Sequence, residues 1–151
     1  MTSIDRSPED RDAGPFVVRK FVRFGHCDPA GIIYYPQYFM LAHDSKEDWF
    51  RDGVGYPFQD MVTRDRRGFP IVKLEAEFAR PSRLGEEIEF DITVQAIGAT
   101  SLKLGYRCHR GDEERMRMTS MLVHVDLDAG KAVPIPHWLR ERLARFEEAT
   151  T

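Results

Sequence analysis

The sequence has little that could staple, anchor or bias it. Its two cysteines, Cys27 and Cys108, cannot make a disulfide framework. No apolar run approaches the roughly 20 residues needed to span a bilayer. Met1 to Gly14 are polar and charged and contain no apolar stretch of the kind that marks a secretory signal. Charge of one sign is also missing: 22 Lys+Arg stand against 25 Asp+Glu, a net charge of -3. A dedicated nucleic-acid binder would carry a strongly basic field instead. There is no internal repeat and no low-complexity tract. Together these absences exclude membrane, collagen-like, disulfide-scaffold and disordered classes. They leave a cytoplasmic enzyme or ligand binder. The 151 residues suit one domain with its own hydrophobic core. A hydrophobic share of 42% beside 31% charged is ordinary for such a chain.

Residues 1–15 read as a loose polar tail, and 16–147 as the folded domain. Phe16 to Phe24 is rich in Val and Phe and reads as a first strand, followed by the turn-rich GHCDPAG. From Pro36 to Arg51 the period becomes helical, with Phe39, Ala42, Lys46, Trp49 and Phe50 on one side. Pro36 suits the first helical turn and Gly53 the stop. Gly53 to Gly68 reads as a loop with at most a short helical turn.

Three stretches of period two follow. Val72, Leu74, Ala76 and Phe78 alternate with polar residues, then Ile88, Phe90, Ile92 and Val94, then Leu102, Leu104, Tyr106 and Cys108. Each predicts a strand with one buried face. The turns between strands fall at Pro81–Gly85, Gly98–Thr100 and Gly111–Glu113. The last strand, Arg115 to Leu127, changes phase at Thr119–Ser120, which predicts a bulge there or a strand covered on both faces. A short C-terminal helix from about Pro136 carries Leu139, Leu143 and Phe146 on one stripe. The pattern predicts an α+β layer of one long helix on a curved antiparallel sheet. Sheet surface or edge left uncovered offers a place to dimerise.

The chemistry concentrates in Gly25-His26-Cys27-Asp28-Pro29-Ala30-Gly31-Ile32-Ile33-Tyr34-Tyr35-Pro36, which joins the first strand to the helix N-terminus. Unpaired N–H groups at such a terminus can polarise a carbonyl or hold an oxyanion. Asp28, just before it, can attack that carbonyl or activate a water beside it. The competing reading is structural, since Asp before Pro often bonds its own backbone in a turn. His26, Cys27 and Asp28 are consecutive and point in different directions, so they do not make a triad. The five histidines show no metal-ligand spacing, and no metal is expected. His43 lies two helical turns after Tyr35 and either lines an acyl pocket or is a half-buried helix residue. Arg64, Arg66 and Arg67 either meet phosphates or form a solvated run with Asp65.

FGHCDPAGIIYYPQYF resembles the signature of hotdog-fold acyl-CoA thioesterases of the 4-hydroxybenzoyl-CoA thioesterase family. The likeness continues through IVKLEAEFARPSRLGEEIEFDITV to MLVHVDLDAGKAVPIP and covers about Phe16 to Pro136. It implies a hotdog fold: a long central helix wrapped by a curved five-stranded antiparallel sheet, with a short C-terminal helix. It implies Asp28 as catalytic nucleophile or general base, and Tyr35 as the position whose backbone N–H polarises the thioester carbonyl. His26, Gly31 and His43 become substrate-binding positions, with Lys103, Arg80, Arg83 or the Arg64–Arg67 loop as sources of phosphate contacts. The family needs no metal or prosthetic group. CoA enters as part of the acyl-CoA substrate, and the family works as homodimers or homotetramers. The expected activity is hydrolysis of an aryl or short- to medium-chain acyl-CoA. The alternatives are a non-catalytic acyl-CoA binding or sensing protein, and an acyl-thioester hydratase or dehydratase.

Overall fold

A computed structural model of the chain describes residues 14–148. The expected tail at residues 1–15 thus lies outside the described residues, apart from Gly14 and Pro15. The elements, in chain order, are β1 (Phe16–Phe21), α1 (Tyr35–Asp48), β2 (Arg67–Gly68), β3 (Ile71–Phe78), β4 (Glu87–Ile97), β5 (Ser101–Arg110), β6 (Glu113–Val123), β7 (Val125–Asp126), β8 (Lys131–Ala132) and α2 (His137–Ala144). Five strands form one antiparallel sheet in the order β1-β4-β5-β6-β3, and β2, β7 and β8 form a small second sheet.

The alternation in β4 and β5 works as the sequence predicts. Ile88, Phe90, Ile92 and Val94 share one face with Leu102, Leu104, Tyr106 and Cys108, and that face is buried against Leu41, Ala42, Trp49 and Phe50 of the helix. Each such side chain contributes about 1.5–3 kcal/mol when fully buried. Leu139, Leu143 and Phe146 close the same core from the C-terminal side. The helix begins at Tyr35 with Pro36 in its first turn and continues past Asp48 as a wider π turn over Trp49–Val54.

Four expectations need correction. The first strand stops at Phe21, because Val22 turns in to bond Glu86 and Phe24–His26 form a 3-10 turn. The helical run ends at Gly55 (φ 75°), not at Gly53. Gly53 instead admits close packing: a Cβ there would lie 2.8 Å from Trp49 and 3.1 Å from Phe146. The third correction concerns β3, which among the described residues pairs only with β6 and forms one edge of the sheet. Its apolar face is only partly covered: Ala76 packs against the core and Phe78 against Tyr35, Tyr38 and Phe39, yet Phe78 stays 47% exposed, and Val72, at a register shift, 62%. Fourth, no bulge interrupts Thr119–Ser120; β6 keeps register there with both neighbours. Ser120 is a buried polar residue in the inward row of Met116, Met118 and Leu122, while the apolar Met121 and Val123 lie in the outward row.

Candidate active site

The loop from Arg23 to Tyr34 is tied back on itself. Tyr34 N–H donates to His26 O at 3.0 Å, Asp28 N–H to Ile32 O at 2.9 Å, and Gly31 N–H to Asp28 O at 3.0 Å. Gly31 adopts φ 77°, a left-handed conformation that the turn requires and that suits glycine. Asp28 is half-buried, and its Oδ1 accepts the Ala30 N–H at 2.9 Å. The turn-stabilising bond therefore exists, and it engages one carboxylate oxygen.

The helix start beyond this loop has no side-chain cap. Its first donors are almost all committed: Tyr34 N–H goes to His26 O, Gln37 N–H goes to Tyr34 O, and Pro36 has none. Tyr35 N–H is left, among the described residues, without a backbone or side-chain acceptor at the positive end of the helix dipole. An uncapped donor beside a carboxylate-bearing turn is suited to an acyl group, whose carbonyl oxygen accepts from the amide.

His26 flanks the same turn. Its Nδ1 accepts the Arg23 N–H at 3.0 Å, so the neutral ring carries its proton on Nε2. Burial and then Arg23 draw its pKa below the usual histidine value, against an opposing pull from Asp44. His43 is exposed, two turns along the helix from Tyr35, its ring 6.5 Å from Phe58. Cys27 is half-buried and its thiol donates to Arg23 O at 3.4 Å.

Aromatic residues crowd this helix end. Tyr35 and Phe39 lie 6.1 and 6.0 Å, ring to ring, from Phe78 on the uncovered edge, and Tyr34 lies 5.4 Å from Tyr35. Tyr34 is 52% and Tyr35 57% exposed, an open apolar surface running on to β3.

A family model of the thioesterase-like superfamily matches residues 22–143. The chain belongs to this superfamily. Among related thioesterase sequences, the 1,4-dihydroxy-2-naphthoyl-CoA hydrolase of Synechococcus elongatus is 25% identical over 129 residues, 83% of this chain and 92% of that one. Among solved structures, a 1,4-dihydroxy-2-naphthoyl-CoA thioesterase from Synechocystis superposes with a TM-score of 0.78 at 20% identity, covering 86% of this chain and 96% of the other. A thioesterase superfamily protein from Jannaschia reaches 0.84 at 22% identity, covering 92% and 97%. The hotdog arrangement is therefore shared; at these identities the solved structures speak for the fold alone.

Within this thioesterase fold, the structure separates some of the expected site residues. Asp28, Gly31, His26 and Tyr35 share the loop and helix start. Lys103 does not join them within one chain. It sits in the outward row of β5 between the buried Leu102 and Leu104, on the sheet face away from α1. Arg64, Arg66 and Arg67 are ion-paired to Asp65, Asp128 and Asp126, and Arg80 to Glu113. Arg83 is exposed, bridges to Ile32 in the site loop, and has no ion pair among the described residues.

Sequence reasoning missed the scaffold beneath the loop. Ile33 N–H donates to Ser82 O at 2.8 Å and Leu84 N–H to Gly31 O at 2.9 Å. The 82–86 turn is in turn held by Arg115, which donates to Pro81 O at 3.0 Å and to both Glu86 oxygens at 2.9 and 3.2 Å. Those bonds hold the Glu86 carboxyl at about 2. Tyr38 and Ser82 share a buried 2.7 Å hydroxyl pair beside them.

Proposed function

We propose that this chain hydrolyses an acyl-CoA thioester, aryl or short- to medium-chain, to the free acid and CoA. The observation that carries the reading is the unengaged Tyr35 N–H at an uncapped helix start, beside the Asp28 turn. The thioester oxygen accepts from Tyr35 N–H, which stabilises the charge that develops there. Asp28 Oδ1 is held by Ala30, leaving Oδ2 to act. It either attacks the carbonyl carbon, giving an anhydride that water then opens, or takes a proton from an attacking water. In both routes the C–S bond breaks, the sulfur leaves as CoA thiolate and takes up a proton, and water supplies the acid's new oxygen.

The open aromatic surface of Tyr34, Tyr35 and Phe78 favours an aryl acyl group, in keeping with the naphthoyl-CoA hydrolases among the relatives. His26, Gly31 and His43 border the acyl site in this reading, with Arg83 as the cation for CoA phosphate. Residues 16–147 act as one thioesterase domain, in the cytoplasm. The exposed β3 edge pairs with a second copy in a homodimer or homotetramer, and Lys103 contributes to a site only across such an assembly.

The test is thiol release from a panel of aryl- and alkyl-CoA thioesters, wild type beside Asp28→Asn. Asn keeps the acceptor for Ala30 N–H, so the turn survives and the melting temperature stays near wild type. Turnover should drop by about 10²–10⁴-fold. A fully active Asp28→Asn protein would sink the proposal.

A further inference from the structure

The outward face of the sheet, opposite α1, holds a cluster the thioester reading does not use. Glu89 and Asp91 stand two residues apart on β4, and His109 of β5 lies directly across from Glu89. His109 is only 8% exposed. Its Nδ1 lies 2.8 Å from Gly111 O. A carbonyl only accepts, so Nδ1 must carry the ring proton. In the neutral ring Nε2 is then a bare lone pair. It faces Asp91 Oδ1 at 2.9 Å and Glu89 Oε2 at 3.8 Å. Three acceptors therefore converge where only a positive charge can reconcile them.

The flanking cations do not fill that point. Arg19 of β1 reaches Glu89 from outside at 3.5 Å, but it is shared with Glu87 and largely exposed. Arg107, across from Asp91, leans toward Glu114 at 3.5 Å. Arg110 turns to Glu86 and the Glu87 carbonyl.

We propose that Glu89, Asp91 and His109 bind a divalent transition-metal ion of the zinc class. The ligand atoms, one imidazole nitrogen and two carboxylate oxygens, all lie within 4.8 Å of one another. A tetrahedral zinc with bonds of about 2.0–2.2 Å takes its ligands roughly 3.3 Å apart, so small side-chain shifts suffice. A histidine whose other ring N–H donates to a backbone carbonyl is oriented as metal-bound histidines are. A proton alone would pair Nε2 with Asp91 and leave Glu89 to the largely exposed Arg19. Asp91 also borders a groove of about 600 Å³ on this face, lined by Thr93, Gln95, Gly105 and Arg107, so one ligand of the three is reached from open solvent. The expectation of no metal rests on histidine spacing and on the family resemblance; strand register brings together a grouping that neither addresses.

The experiment is calorimetric titration of the chelator-treated full chain with zinc chloride, alongside melting temperature and ring-nitrogen NMR of His109. One equivalent should bind with a micromolar or tighter dissociation constant, raise the melting temperature and shift the His109 Nε2 signal. Glu89→Gln, at a partly exposed position, should fold normally and weaken binding at least about tenfold; His109→Gln should abolish it. Absence of stoichiometric uptake overturns the proposal, as does an imidazolium with both nitrogens protonated that zinc does not displace. Binding that survives Glu89→Gln and His109→Gln but is lost in Cys27→Ser also overturns it, placing the metal at the half-exposed thiol. None of these readouts depends on thioester hydrolysis, so the two proposals fail separately.

Discussion

The two ends of the central helix live in opposite surroundings. At its start, Tyr34, Tyr35 and Met40 are exposed, no side chain caps the helix, and one backbone donor is unengaged. At its far end, Trp49 and Phe50 are fully buried; Trp49 packs edge to face on Phe50 and Phe146, and Phe50 packs tilted against Phe58 and Phe69. An uncapped helix terminus typically forgoes about 1 kcal/mol, and exposed aromatics contribute little to folding. The buried end offsets both. With the proposed chemistry at the helix start, stability and chemistry draw on separate turns of one helix, so each should be removable without the other.

The strongest test of that separation is Trp49→Ala. Truncating a fully buried tryptophan should cost about 3–5 kcal/mol, measured by urea unfolding. The fraction that remains folded should keep Asp28-dependent turnover, the mirror image of Asp28→Asn. A cost below about 1 kcal/mol would break the comparison.

Glu86 supports the first of these ends, because its pair with Arg115 holds the turn on which Gly31 and Ile33 rest. Glu86→Gln strips the carboxylate from an arginine that is almost wholly buried, though Glu113 Oε1 stays 2.9 Å from Arg115. The expected cost is about 2–3 kcal/mol, with a rise in KM as the loop loosens. The folded carboxyl sits at about 2, below its ordinary 4.5. Its contribution is therefore complete above the unfolded pKa and is lost as pH falls from there toward about 2. Unfolding at pH 5 and pH 3 should show a steeper acid loss in wild type than in the variant. Parallel losses would remove Glu86 from the scaffold.

The parts of this molecule legible in its sequence are those set by neighbours along the chain. Asp28, Gly31 and Tyr35 lie within one loop and helix start, so their grouping follows from local turn and cap chemistry. The β4 and β5 alternation was legible because a helix does cover that face. The same alternation in β3 overstates burial, since a pattern records a capacity for burial and not how far the cover extends: the helix reaches Phe78 but leaves Val72 and Leu74 partly exposed. Lys103 carries a legible signal too: its parity, between Leu102 and Leu104, places it on the outward row, away from the loop of its own chain. Ser120 looked like a break in phase because a buried hydroxyl resembles an exposed one in sequence. Glu86 and Arg115, or Glu89, Asp91 and His109, meet through strand register and turn geometry, which no spacing rule in a single chain reveals.

The smallest expected effect has the opposite sign. Lys46 lies on the buried side of the helix, 4% exposed, and among the described residues no carboxylate pairs with it. Burial draws its pKa down from 10.5 to about 8. The unfolded chain therefore holds that proton more tightly than the folded one. The penalty is present in full below about pH 8 and disappears as pH rises to about 10.5, so wild-type stability should climb across that window. Lys46→Met keeps the stem and removes the charge; it should stabilise the protein by about 1–2 kcal/mol at pH 7 and lose the climb. Urea midpoints at pH 7 and pH 10 decide it: the variant leads at the first and converges with wild type at the second. Should Met give no gain at pH 7, the lysine is serving the buried half through its contacts, and that half is not held by apolar packing alone.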